Sequence, residues 1–381
     1  MADTPLATHP QQSFSVLASA GTGKTWQLVA RLTRLLLHGA QLNSILAITF
    51  TRKAAGEMQQ RLNDRLRELL EADEQQLDAI LLIMGETPTA DIRQRARNLL
   101  EQSLRCEQNL HSTTFHSFCQ ELLQHFPLEA GLPPGFELAE QTGLLIQESW
   151  DALFAEATAE PEQPLAESLE LLFETLNGLH NTRSALFSFV EHRSDWWAFT
   201  HQAREPATVA TGYLQQQLEP GQQASASSSF WNDVSRSRLG EFAVLLGQHA
   251  TSTNQKQLAA IENILANIED PESAIRNIRP VFFTGSGERR KRSSSQAQRK
   301  TMGEHGEDRF LELHDAFCEQ LEQLTEQQNR QRTLRINSAW YRAGQRMLEH
   351  YQRIKRERRL LDFADLEWNT YQLLNHPDHA H

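Results

Sequence analysis

Residues Val16–Leu32 read "VLASAGTGKTWQLVARL": two glycines, a lysine and a threonine set between an apolar run and a helical pattern. The run "SFSVLA" (Ser13–Ala18) predicts a strand. Lys24–His38 predicts a helix with Leu28, Leu32, Leu35 and Leu36 on one face. A glycine-rich turn between a strand and a helix is the setting a phosphate-binding loop needs. Its residues are Ala18, Ser19, Ala20, Gly21, Thr22, Gly23, Lys24 and Thr25. Gly21 and Gly23 allow backbone N–H groups to turn inward around phosphate oxygens. The helix N-terminus adds partial positive charge. Lys24 has the reach for β- and γ-phosphates, and the Thr25 hydroxyl can ligate Mg²⁺, so the pair is the catalytic candidate of an ATP site. Ala18 stands where the consensus G-x-x-x-x-G-K-[ST] begins with glycine. The competing reading is a glycine-rich turn with a chance lysine.

Outward from the loop, strand and helix patterns alternate. "ILAITF" (Ile45–Phe50) predicts a second strand, and Thr51 stands ready to cap the next helix, whose stripe is Met58, Leu62, Leu66 and Leu69. "LHSTTF" (Leu110–Phe115) predicts a third strand. This alternation argues for an α/β fold with a parallel sheet. From about Phe126 the pattern turns helical and rich in Glu, Gln and Leu, broken by "GLPPGF" and "EPGQQASASSS". Trp150, Trp196, Trp197, Trp231 and Trp340 lie in this region and read as fillers of helix–helix cores. Ile336, Trp340, Ala343, Met347, Tyr351 and Ile354 form the stripe of a long closing helix. The expected division is residues 1–125 plus 356–381 for the nucleotide-binding domain and 126–355 for an all-α insertion.

Composition sets the outer bounds. With 39% hydrophobic and 23% charged residues, the 381-residue chain suits a soluble globular protein. No apolar run approaches the roughly 18–20 residues that span a bilayer, and "MADTPLATHPQQ" does not read as a signal peptide. Cys106, Cys119 and Cys318 are too few and too scattered for a disulfide framework or a zinc site. The expectation is a cytoplasmic protein without a membrane partner. A net charge of −12 argues against gripping nucleic acid with the whole surface, but leaves room for a local basic track.

Three segments in order, "ASAGTGKT", "ITFTRKAAGEMQQRL" and "TTFHSF", resemble the first motifs of superfamily-1 helicases of the UvrD/Rep type, within them the RecB- and AddA-like branch. "RRLLDFADL" (Arg358–Leu366) resembles the family segment where the chain returns from a helical insertion to the first RecA-like domain. The resemblance implies a RecA-like P-loop NTPase domain, here incomplete, with a large all-α insertion. It implies ATP and Mg²⁺ as cofactors, single-stranded and duplex DNA as partners, and a nuclease or helicase partner subunit. The implied activity is ATP-driven translocation, 3′ to 5′, with duplex unwinding in DNA repair and recombination. Thr49, Phe50 and Thr51 fall in the motif lining the single-strand path, Phe50 at the base-stacking aromatic; Phe115 and His116 fall in a second strand-contacting motif. An aromatic at a strand end is a sequence-tolerant stacking platform, and Arg52, Lys53 and Arg61 are placed to pair with phosphates. Each has a plainer alternative: Phe50 as a core residue, His116 as a helix cap, Lys53 as a solvated first-turn residue. Gln11 and Gln12 are open candidates for reading adenine.

Two basic runs remain. "GERRKRSSSQAQRK" (Gly287–Lys300) reads either as an insertion loop that contacts duplex DNA or as a solvated loop; "RIKRERR" (Arg353–Arg359) reads mostly as a helix face. The apolar strand ending in Asp-Glu that such a motor requires is not found. "RRLLDFAD" reads as a helix start and "LFSFVEH" lies in the helical region. The second RecA-like domain is likewise missing, so the expectation is an N-terminal piece of a longer helicase that is inactive alone. The rivals are a catalytically incomplete DNA-binding or assembly fragment and a non-helicase P-loop enzyme such as a nucleotide kinase.

Overall fold

The computed structural model describes residues 6–17, 19, 23–105, 110–201, 203–218, 226–248, 251–266, 268, 270–292, 296–303 and 305–378. The chain forms two compact units, residues 1–142 with 355–381, and residues 143–354.

In the first unit, helix α1 (Lys24–Leu37) is followed by strand β1 (Leu46–Thr49), then by α2 (Arg52–Glu71), α3 (Glu74–Met84) and α4 (Ala90–Arg105). Strand β2 (His111–Thr114) leads into α5 (Phe115–His125). β1 and β2 pair in parallel, Leu46 opposite His111 through Thr49 opposite Thr114. The crossover between them is α2–α4, as a parallel pair requires. Thr51 caps α2, its hydroxyl accepting from the Ala54 N–H at 3.1 Å. The α2 stripe Met58, Leu62, Leu66 and Leu69 is buried against Leu77, Leu81 and Met84 of α3 and Leu32, Leu36 and Leu37 of α1. Each such leucine contributes about 1.5–3 kcal/mol by leaving water.

Two sequence expectations need correction. Ser13–Leu17 form no strand, and Ala18 lies outside the described residues. A strand persists only where a neighbour completes its ladder; among the described residues β1 pairs with β2 alone, and Leu17 is 99% exposed. The preceding residues are instead held along α1, where Arg31 donates to the carbonyls of His9 and Gln12, each at 2.7 Å. Buried Arg34 donates to Glu86 at 2.5 Å and to the Thr8 hydroxyl at 2.9 Å. The buried face of α1 is also rotated from the expected one. Val29, Leu32, Leu36 and Leu37 face the core and Leu28 is exposed.

A second parallel pair, β3 (Glu137–Leu138) with β4 (Leu360–Leu361), closes the first unit and leads into α17 (Phe363–Asn375). Phe136, Leu361, Leu366 and Leu373 pack there with Cys119 and Leu123 of α5. This packing keeps residues 126–142 with the first unit, although the sequence changes character at Phe126. Burial pushes the Cys119 thiol up, with the Glu367 carboxylate adding to the shift, so this cysteine is a packing group.

The second unit is helical among its described residues: α6 (Gly143–Ala159), α7 (Pro164–Thr175), α8 (Leu179–Glu191), α9 (Arg193–Thr200), α10 (Pro206–Leu218), α11 (Ala226–Phe230), α12 (Asp233–Gly247), α13 (Ser252–Ala266), α14 (Pro271–Phe282), α15 (Gln296–Met302) and most of α16 (Gly306–Arg358). The α16 stripe is buried at Ala343, Met347, Tyr351 and Ile354. Gly344 interrupts it because α8 comes close: a Cβ there would meet the Phe189 ring at 2.7 Å. Trp150, Trp196 and Trp231 are buried; Trp197 and Trp340 are half-buried.

Four arginines of the basic run at 287–300 find partners within this unit. Arg289 pairs with Glu322, Arg290 donates to the carbonyls of Pro280 and Phe283, and Arg292 donates to Gln257 and the Val281 carbonyl. Arg299 pairs with Glu307. These arginines secure α13, α14 and α16; Lys291 and Lys300 are exposed, and residues 293–295 lie outside the described residues.

Candidate nucleotide and nucleic-acid site

Of the eight loop residues, Ser19, Gly23, Lys24 and Thr25 are described; Ala18, Ala20, Gly21 and Thr22 lie outside the described residues. Gly23 is the N-cap of α1 in the left-handed region, φ 85° and ψ 13°. A side chain there would cost roughly 1–2 kcal/mol in backbone strain. Its carbonyl accepts from the Gln27 N–H at 3.0 Å, which starts the helix at Lys24. Among the described residues no side chain caps this terminus and no acid sits in its first turn. The N-terminus of α1 thus offers an anion its partial positive charge. Lys24 is exposed and Thr25 half-buried.

Beside Thr25 lies a cavity of about 320 Å³, walled by Trp26 and by Arg61, Asp64 and Arg65 of α2. Arg61 thus stands at the loop's side of α2. Nine residues, or about 13.5 Å of helical rise, separate it from Arg52 at the other DNA candidates. Helical geometry thus sets Arg61 apart from them, beside the loop. Gln11 and Gln12 are exposed, the carbonyl of Gln12 taken by Arg31.

The strand ends are brought together by register. Thr49 lies opposite Thr114, so Phe50 and Phe115 leave adjacent parallel strands side by side. Phe50 is 98% exposed, which removes the core reading. The Thr49 hydroxyl donates to the Thr51 carbonyl at 3.0 Å and tightens the turn that presents Phe50. Phe115 is part-exposed and meets the His116 ring edge-on at 5.8 Å. His116 is not the cap of α5; Thr114 is, accepting from the Ser117 N–H. The His116 ring lies 4.7 Å from that of Phe363, and its Nε2 is 2.8 Å from Glu367 Oε1. Phe363 and Glu367 belong to α17, more than two hundred residues away, and no spacing rule connects them to "TTFHSF".

Arg52 and Lys53 occupy the first turn of α2 and are exposed; Lys53 lies 4.0 Å from Glu57. Cations at a helix N-terminus oppose the macrodipole by a few tenths to about 1 kcal/mol. Their placement therefore costs stability locally and suits an anionic ligand. Arg52→Asp should leave the melting temperature unchanged or slightly raised, while flattening the salt dependence of single-strand binding by about 0.7 of a counterion. Paired melting and binding curves check this; a salt slope equal to the parent's would exclude Arg52 from the strand contact.

Among the described residues no helix is long and apolar enough to cross a membrane. Comparison with known proteins finds relatives named as the A subunit of an ATP-dependent helicase/nuclease. That of Lactiplantibacillus plantarum is 29% identical over 228 residues, covering 56% of this chain and 17% of the relative. That of Desulforudis audaxviator is 31% identical over 212 residues, covering 52% and 15%. That of Limosilactobacillus fermentum is 27% identical over 399 residues, covering 97% and 27%. The chain thus spans less than a third of the length of these relatives. A family model described as UvrD/REP helicase N-terminal domain matches residues 3–381, and the chain belongs to that family.

Proposed function

We propose that this chain supplies the ATP-binding part, and one wall of the single-strand path, of a DNA helicase that translocates 3′ to 5′ and unwinds duplex in repair and recombination. Residues 1–142 with 355–381 are read as part of a RecA-like domain and residues 143–354 as its insertion. The observation that carries the reading is the pairing of Thr49 with Thr114, which sets the exposed ring of Phe50 beside Phe115 at one edge of a parallel pair. A nucleotide kinase would account for the phosphate loop but not for the segments that carry Phe50 and Phe115.

The described part of the loop fits a triphosphate with Mg²⁺. Gly23 turns the backbone without a side chain in the way, Lys24 provides the cation, and Thr25 provides a hydroxyl for the metal. When bound, ATP supplies the free energy of γ-phosphate hydrolysis. The chain's own share is to orient phosphate oxygens with the α1 N–H groups and to offset their charge with Lys24. The names of the relatives support a complex with nuclease activity, and with it a partner subunit.

Lys24→Ala should abolish nucleotide binding. Titration of a fluorescent ATP analogue into both proteins tests this, and equal affinities would refute the loop assignment.

A further inference from the structure

In the 143–354 unit, α8, α9, α10 and α16 surround a cavity of about 320 Å³. Five aromatic residues line it: Phe189, Trp196, Phe199, Trp340 and Tyr341. The rings brace one another. Centre to centre, Phe189 lies 4.9 Å from Trp196 and 5.1 Å from Trp340, and Trp196 lies 5.4 Å from Tyr341. Both indole N–H groups are spent on the protein itself. Trp196 donates to Gln345 at 2.7 Å and Trp340 to the Ala185 carbonyl at 3.4 Å. What the indoles leave for an occupant is ring surface, whose π-electrons attract a cation. The Ser188 and Tyr341 hydroxyls and the Asp195 carboxylate add oxygen acceptors to the lining. His192 borders it too, its Nδ1 2.9 Å from the Ser188 carbonyl. No lysine or arginine lines the cavity. Asp195 is exposed in the first turn of α9, where its charge favours the helix end. Glu156, Glu241 and Glu322 in this unit are each taken by an arginine, whereas among the described residues Asp195 forms no ion pair.

We infer that this cavity receives the arginine side chain of a partner polypeptide. A guanidinium is planar and weakly hydrated, so it stacks on aromatic rings more readily than an ammonium does. Its N–H donors need acceptors on leaving water, and Asp195, Ser188 and Tyr341 supply them. The unit seats its own guanidinium groups on rings in this way. That of buried Arg193 lies 5.4 Å from the Trp197 ring centre and 5.3 Å from that of Tyr351, and that of Arg183 lies 5.0 Å from Phe187. At the cavity the cation has to come from outside. The surroundings select a polypeptide as its bearer. Phe199 and Tyr213 are exposed, with their rings 5.5 Å apart, and Val209 is exposed four residues before Tyr213 on α10. Apolar surface grouped beside a pocket is what the neighbours of an inserted arginine would cover. A net charge of −12 adds a long-range attraction for a basic segment. The inference uses neither the nucleotide loop nor Phe50, and it stands apart from the helicase reading.

The test titrates the acetylated and amidated tripeptide leucyl-arginyl-leucine into the full chain by calorimetry, with thermal melts alongside. The same peptide with citrulline keeps the shape of the side chain and loses its charge. The arginine peptide should bind saturably, with a Kd on the order of 1 mM. The citrulline peptide should bind about tenfold more weakly. Asp195→Asn and Phe199→Ala should each cost about fivefold with an unchanged melting temperature, since both side chains are exposed. Equal binding of the two peptides would overturn the inference, as would parental affinity in both variants. Absence of saturable binding by the parent at roughly ten times the expected Kd would overturn it as well. Acetyl-arginine amide binding as tightly as the tripeptide would remove the polypeptide and leave a site for a free basic molecule. Displacement of the tripeptide by oligothymidine would overturn the inference too, marking the rings as a platform for bases.

Discussion

Phe50→Ala is expected to weaken single-stranded DNA binding roughly tenfold or more at every salt concentration and to leave the salt slope where it was. Stacking of a base on an aromatic ring is worth about 1–3 kcal/mol, and about 1.4 kcal/mol is tenfold in affinity. No charge is removed, so counterion release is unaffected. The melting temperature should hold as well. The ring is 98% exposed and its loss opens no cavity. The same substitution at Phe115 should be less clean, because that ring also packs against His116. Single-strand binding by Phe50→Ala equal to the parent's would detach this residue from the strand path and favour an assembly role for this edge.

The largest effect on stability is expected at Lys355. Its side chain is 1% exposed, and its ammonium donates to Asp362 at 2.9 Å and to Asp365. The two aspartates form the reciprocal capping box of α17: the Asp365 N–H donates to Asp362 at 3.2 Å and the Asp362 N–H to Asp365 at 2.9 Å. Lys355→Met would take from two buried carboxylates the ammonium that donates to both, a loss of about 3–5 kcal/mol. Adding Asp362→Asn and Asp365→Asn should recover part of it, because the buried negative charges go as well. Since α17 carries Phe363 and Glu367 to His116, the Lys355 variant should also lose single-strand affinity. Urea unfolding of the parent, the single and the triple variant measures the effect. A parental midpoint for Lys355→Met would show that the cluster contributes nothing net.

Local chemistry was legible in the chain itself. The helix start at Lys24, the cap at Thr51, the Met58–Leu69 stripe and the strands around "LAIT" and "HSTT" all follow from residue types a few positions apart, where periodicity and capping act. The motif words placed Phe50 and Phe115 at strand ends by the same short-range logic. What only the tertiary structure decided depends on partners distant in sequence. Ser13–Leu17 carry a β pattern but have no ladder neighbour, so the pattern has nothing to pair with. Arg61 belongs by spacing to the basic face of α2, yet the helix's length carries it to the cavity beside Thr25. The arginines at 289–292 look like a ligand site in one dimension, but Glu322, Gln257 and backbone carbonyls consume them in three. Phe189, Trp196, Phe199, Trp340 and Tyr341 form no single run, and only the packing of α8 and α9 on α16 gathers them around one cavity beside Asp195. The sequence by itself determined which segments could bind phosphate and present aromatics. Which charges were left over for a ligand was decided by folding, because a charge is available only when no neighbour in space neutralises it.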